Sequence, residues 1–231
     1  MKDGMIQKTA KVGALTATED ELKKINAYTL EPLKEEDVYL FKIAVVSNAP
    51  EIDRDYEPLT QKAVESLAAQ LKGKTIIFDH NPSAQNQKAR IYDTVCEQNG
   101  EKTVLGEPLT TLVAHCYMVN AGNTDLIAEI KAGIKKEVSV GFATSGMTCS
   151  VCGKSFYQCP HRKGQEYNGK TCRALITDCT DAYEVSFVAV PCQTNAGTRK
   201  QYEKQPDDSA AIAELNARIR IRIKEMKFRE E

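Results

Sequence analysis

The sequence predicts a β-rich α+β fold, a barrel of strands that closes on itself and is flanked by helices. Three observations predict it. Runs of β-branched and aromatic residues recur along the chain, each bounded by Gly, Pro, Asn or Asp. Few stretches carry the 3.6-residue apolar spacing of a helix. The apolar share, 42% of 231 residues, is enough for one sizeable core or a core with an appendage.

The elements follow in order. Residues 1–37 form a mixed, polar N-terminal extension with a short helix expected at 18–26, capped by Thr18. VYLFKIAVV at 38–46 is the first strand. A turn-rich loop with two prolines follows, and Thr60 caps a helix over about 60–71. There Ala63, Leu67, Ala68 and Leu71 share one face, and Gly73 stops the helix. TIIF at 75–78 is a short buried strand that delivers Asp79, His80, Asn81 and Pro82 at its end. Residues 89–96 and 102–105 read as two strands around the Asn99-Gly100 turn. Further strands are expected at 110–119, 137–142, 173–178 and 183–190, with a helix at 123–132. Residues 193–208 read as a polar linker. The charged tail 209–231 reads as a helix, with IRIRIK alternating like a strand inside it.

Net charge is −1, which gives no reason to expect a nucleic-acid or membrane partner. No apolar run reaches the length of about 18 residues that a membrane span needs. The first residues lack the apolar middle of a signal peptide, so a cytosolic protein is expected. There is no internal repeat and no GxGxxG or P-loop, which removes the simplest nucleotide-binding readings.

Eight cysteines in a reducing compartment point to metal rather than to disulfides. Cys149, Cys152, Cys159 and Cys172 fall in one short segment, whereas Cys96, Cys116, Cys179 and Cys192 are scattered among apolar residues as small core hydrophobes. A CxxC pair can turn both sulfurs onto one ion, and Gly153 lets backbone amides face them. With Cys159 and His161 the set becomes Cys₃His, a closed structural zinc site in which Cys172 competes for the fourth place. Segment 147–172 has almost no aliphatic residues, so metal binding would supply its folding energy.

Three histidines are present: His80, His115 and His161. If His161 is a zinc ligand, His80 and His115 remain as candidate bases. His80 sits at a loop mouth, and His115 alternates with apolar residues in a strand. Ser139 in EVSVGF lies on the face opposite Val138 and Val140, and Gly141 beside it leaves room for a substrate backbone. A serine reacts only when a base takes its proton and its oxyanion is stabilised. The motif is not the GxSxG elbow.

VYLFKIAVVSNAPEIDRDYEPLT, TIIFDHNP, EVSVGF and YEVSFVAVP occur in an order and spacing that resembles the tailed-phage prohead maturation proteases, distantly similar to the herpesvirus assemblins. The resemblance covers residues 38–196. It implies an assemblin-like β-barrel and a serine endopeptidase, with His80 as base and Ser139 as nucleophile. Glu184 would orient the histidine, with Asp178 and Asp181 as nearby alternatives. It implies phage scaffold and major capsid protein as substrates, self-cleavage in the 193–208 linker, and a homodimer. The location would be the host cytoplasm, inside the procapsid. The cysteine-rich segment departs from the plain family pattern as an insertion between the Ser139 and Glu184 strands.

Two other readings compete. The chain could be a non-catalytic, zinc-stabilised phage structural protein that keeps the protease fold. The cysteine cluster could be a nucleic-acid finger carrying Lys154, Arg162, Lys163 and Lys170, although the overall charge argues against it.

Overall fold

A computed structural model describes residues 17–199. The charged helix expected at 209–231, the first sixteen residues and the far part of the linker lie outside them. The strands are β1 (Val38–Ser47), β2 (Thr75–Phe78), β3 (Ala89–Lys102), β4 (Pro108–Val119), β5 (Val138–Ala143), β6 (Met147–Cys149), β7 (Glu166–Tyr167), β8 (Lys170–Thr171), β9 (Ala174–Ile176), β10 (Asp181–Phe187) and β11 (Gly197–Thr198). The helices are α1 (Glu19–Asn26), α2 (Gln61–Leu71) and α3 (Thr124–Lys131). Among the described residues no helix is long and apolar enough to cross a membrane.

Seven strands form one sheet in the order β11-β1-β4-β3-β2-β10-β5, antiparallel except for the β2–β10 pair. The sheet curls until its two ends nearly meet. Val138 N–H donates to Ala196 O at 3.3 Å and Thr198 N–H to Lys136 O at 2.7 Å, so the β11 segment bridges β1 and the entry to β5. Gly197 is required at this seam, because a Cβ there would stand 2.6 Å from Lys136 O. The fold is therefore a β-rich α+β structure around a nearly closed seven-stranded barrel.

The helices follow their caps. Thr18 Oγ1 accepts the Glu21 N–H while the Glu21 carboxylate accepts the Thr18 N–H, a complete capping box. Thr60 Oγ1 accepts the Ala63 N–H and starts α2. Ala63, Val64, Leu67, Ala68 and Leu71 of α2 are buried with Ile43, Ile76, Leu112 and Val185 of the strands. Each large side chain so buried contributes about 1.5–3 kcal/mol. On β1, Val38 and Leu40 instead join Ile25 of α1, Tyr92 and Tyr117 in a second cluster. Residues 17–37 thus pack on the barrel.

Two expectations change. The chain does not reverse at Asn99-Gly100. β3 continues to Lys102 and the reversal comes at 103–107, where Thr103 N–H donates to Glu107 O at 2.8 Å. Asn99-Gly100 is absorbed as an irregularity in the β3–β4 ladder. Val104 and Leu105 are exposed, so no burial calls for a strand there, and long-range pairing with β4 overrides the local turn signal. The polar stretch from residue 193 is, as far as 199, part of the barrel. Buried Gln193 accepts the Ser47 N–H at 2.8 Å and donates to Ser47 O at 2.9 Å. Its polarity serves the barrel backbone, not solvent.

Candidate functional site

His80 follows β2 through a turn in which Asp79 and His80 both take left-handed backbone conformations, φ 53° and 52°. Such residues without glycine cost on the order of 1–3 kcal/mol each and persist only where neighbours hold them. Here Asp79 N–H donates to Phe187 O and His80 N–H to Ser186 Oγ, both at 3.0 Å. Asn86 clamps the turn by donating to Phe78 O at 2.8 Å and Asn81 O at 2.9 Å. The turn swings the imidazole back over β10. His80 Nδ1 lies 2.7 Å from Glu184 Oε1, and Ser186 Oγ donates to Glu184 Oε2 at 2.6 Å. The Glu184 side chain is 9% exposed and that of His80 42%, so a held carboxylate backs an accessible ring.

Ser139 stands directly across from Ser186, and Gly141 across from Glu184, in the β5–β10 register. Residues opposite or two apart in an antiparallel pair share a face, so Ser139 lies on the face of Glu184 and Ser186. Its hydroxyl has no hydrogen-bond partner among the described residues, the His80 ring included. Ser139 is half-buried and opens into a cleft of about 370 Å³ lined also by Val46, Leu59, Gly141, Phe142 and Ile176. Gly141 does not serve as open space for substrate. A Cβ there would collide with Glu184 Oε1, so the glycine makes room for the carboxylate.

The alternatives are engaged elsewhere. His115 is half-buried edge-on to Tyr92, and burial lowers its pKa. Asp178 accepts from Thr144 Oγ1 at 2.6 Å and Ser145 N–H at 3.0 Å. Asp181 pairs with Lys74. Sequence reasoning gave no role to Ser186, which is fully buried and ties the His80 backbone to Glu184. Its signal was present in YEVSF, two residues after Glu184 and so on the same face.

The second cluster lies in the cysteine-rich segment. The ligand atoms of Cys149, Cys152, Cys159 and His161 all fall within 4.8 Å of one another and could hold a metal ion. Gly153, at φ 70°, turns the chain so that its N–H bonds Cys149 O at 2.9 Å. Burial raises the Cys149 thiol, but the N–H groups of Cys152 and Val151 outweigh that and bring it down to about 6. Cys149 Sγ is 3.6 Å from His161 Nδ1 and 3.8 Å from Cys172 Sγ. Tetrahedral zinc, with bonds of about 2.3 Å to sulfur and 2.0–2.1 Å to nitrogen, needs ligand atoms about 3.5–3.8 Å apart, which the spacings of Cys149 to His161 and to the competing Cys172 both match. The tight group includes His161. Cys172, fully buried, lies outside that tight group but beside Cys149.

The segment is docked on the barrel. Ala174 N–H donates to Tyr56 O, Ile176 N–H to Pro58 O and Thr60 N–H to Ile176 O, at 2.9, 3.0 and 2.9 Å. Lys163, a candidate finger charge, pairs with Glu57. Of the four scattered cysteines, Cys116 and Cys179 are buried, Cys96 is half-buried, and half-buried Cys192 donates to Asp55 Oδ2 at 3.1 Å. No known protein family, curated protein or solved structure matches the chain.

Proposed function

We propose that the chain is a serine endopeptidase in which Ser139 is the nucleophile, His80 the base and Glu184 the residue that orients the imidazole. The observation that carries the reading is the 2.7 Å contact of His80 Nδ1 with Glu184 Oε1 on the sheet face that also bears Ser139. A carboxylate on Nδ1 favours the tautomer with its lone pair on Nε2. His80 Nε2 takes the Ser139 proton as Oγ attacks the scissile carbonyl, then gives it to the leaving amine. Water attacks the acyl-enzyme by the same route and frees Ser139. Buried Ser186 cannot replace Ser139, because no substrate reaches it. Nucleophile–base hydrogen bonds are often long in sites without substrate.

With the prohead-protease resemblance, the substrates are scaffold and major capsid protein inside a procapsid in the host cytoplasm, and the working form is a homodimer. Any self-cleavage falls beyond Arg199, since the residues before it close the barrel. The Cys149, Cys152, Cys159 and His161 group takes zinc, which supplies structural stability and no step of the reaction. The second reading, a non-catalytic zinc-stabilised phage structural protein, is favoured by one observation, the missing Ser139–His80 hydrogen bond.

The test is an intact-mass time course of wild type and Ser139→Ala, each with a fluorophosphonate probe and with scaffold and capsid protein added. Wild type is expected to gain one adduct on Ser139 and to cut a substrate or itself, and the variant to do neither. If wild type takes no adduct and cuts nothing, the endopeptidase reading is lost and the structural one stands.

A further inference from the structure

The cleft beside Ser139 has two features that the proposed chemistry does not use. The first is an open strand edge. β5 ends the sheet order, and its ladder to β10 is regular from Ser139 to Gly141. In that register Ser139 and Gly141 turn their N–H and C=O groups to β10, while Val138, Val140 and Phe142 turn theirs outward. The Val138 N–H is taken by Ala196 O. Those of Val140 and Phe142 face the cleft with no partner among the described residues.

The second feature is charge. Asp53, Asp55 and Glu57 line the same cleft. Lys163 pairs with Glu57, and its charge also reaches Asp55 and Asp53, so three carboxylates share one lysine. Asp53 Oδ1 is occupied by the N–H groups of Asp55 and Glu57, at 3.1 and 3.0 Å, which fixes the loop. Among the described residues the Asp55 carboxylate accepts a hydrogen bond from the Cys192 thiol and makes no ion pair, with Lys163 acting on it from farther off. Burial and these two aspartates push that thiol up to about 12, so it stays neutral and offsets none of the charge.

We propose that the cleft takes an extended peptide laid along the open edge of β5, with a lysine or arginine of that peptide reaching Asp55 and Asp53 beside Ser139. Backbone hydrogen bonds to Val140 and Phe142 supply sequence-independent affinity, as in strand addition. The acidic wall supplies the choice of side chain. Cleavage of the bound segment rests on the endopeptidase reading, whereas its docking does not.

The experiment separates the two. Fluorescent peptides of one fixed host sequence carry a single Lys, Gln or Glu at each position in turn. Their binding to Ser139→Ala protein is measured by anisotropy, and their cleavage by wild type is followed by mass spectrometry. At one position Lys is expected to bind roughly fivefold tighter than Gln, with Glu weakest, as one partly exposed charge pair supplies. The preference should shrink with salt and fall by at least half in Asp55→Asn, where Asp53 alone remains. Asp55 is exposed and its side chain caps no backbone group, so the variant is expected to fold. Asp55→Lys should invert the order, with Glu above Lys. If Lys, Gln and Glu peptides bind alike, or if none binds, the proposal is overturned whatever wild type cleaves. If the Lys preference appears and wild type cuts nothing, the docking surface stands and the endopeptidase reading fails.

Discussion

In the barrel, Ile43, Leu67, Leu71, Ile76 and Leu112 are fully buried against one another. In segment 147–172 the side chains buried to that depth are Cys149 and Cys172. Its strands form two small sheets, one of them with β9 just beyond it, that pair only two or three residues per strand. Isolated pairs this short are not stable in water. One region is therefore held by apolar burial, while the other lacks such a core and carries the Cys149, Cys152, Cys159 and His161 group that could hold a metal ion. The difference teaches that apolar burial accounts for the order of one region and not of the other, and that the two meet where β9 docks on residues 56–60.

The largest test of that separation is metal removal. Structural zinc contributes about 10–16 kcal/mol in small peptides that fold only with metal. A chelator, or Cys152→Ser at an exposed ligand, is expected to free amide exchange over 147–176 while β3 and β4 stay protected, as read by hydrogen-exchange mass spectrometry. Protection that persists over 147–172 without metal would break the contrast.

A smaller effect compares two glycines. Glu184 is held by His80 on one oxygen and Ser186 on the other, so it cannot yield to a new methyl group. Gly141→Ala should cost about 1–3 kcal/mol in denaturant unfolding and reduce the proposed peptidase activity. Gly146, just before β6, has nothing within 4 Å of an added Cβ. Gly146→Ala should stay within about 0.5 kcal/mol of wild type. Equal costs would show that the barrel site is as yielding as the segment.

The smallest concerns how α1 and α2 are tied to β3. Burial raises the Asp93 carboxyl, but Lys24 and Lys72 outweigh that and hold it well below the usual carboxylate range. A depressed folded-state pKa gives stability that is present above the unfolded value of about 4 and is lost as pH falls through the folded one. Asp93→Asn is expected to lose about 1 kcal/mol at pH 7. The gap from wild type should close progressively below about pH 4. A gap that persists under strong acid would assign the loss to packing.

Much of this was legible because it is local. Thr18 and Thr60 sit where the caps are, and TIIF ends where β2 ends. The Cys and His spacing read as a metal group because four ligands in thirteen residues need few long-range contacts. What could not be read depends on distant partners. Nothing in DHNP announces that Asp79 and His80 both turn left-handed, because Phe187 and Ser186, over a hundred residues on, hold them there. Gly141 looked like open space because its neighbour across the sheet, Glu184, is invisible without the register. The Asn99-Gly100 signal failed for the same reason, since pairing with β4 decided where the strand turned.

The seam at β11 also sets an order of events during synthesis. Val138, the first residue of the Ser139 strand, bonds to Ala196, and β1 gains its second neighbour only at Gly197 and Thr198. A ribosome that has released everything up to β10 still holds a sheet with two exposed ends. Such ends are templates for pairing with another chain. The nascent protein is thus most exposed to aggregation just before residue 199 emerges, and the Ser139 strand gains its last anchor at that moment, so Ser139 is locked in place only after nearly all of the barrel around it has been made.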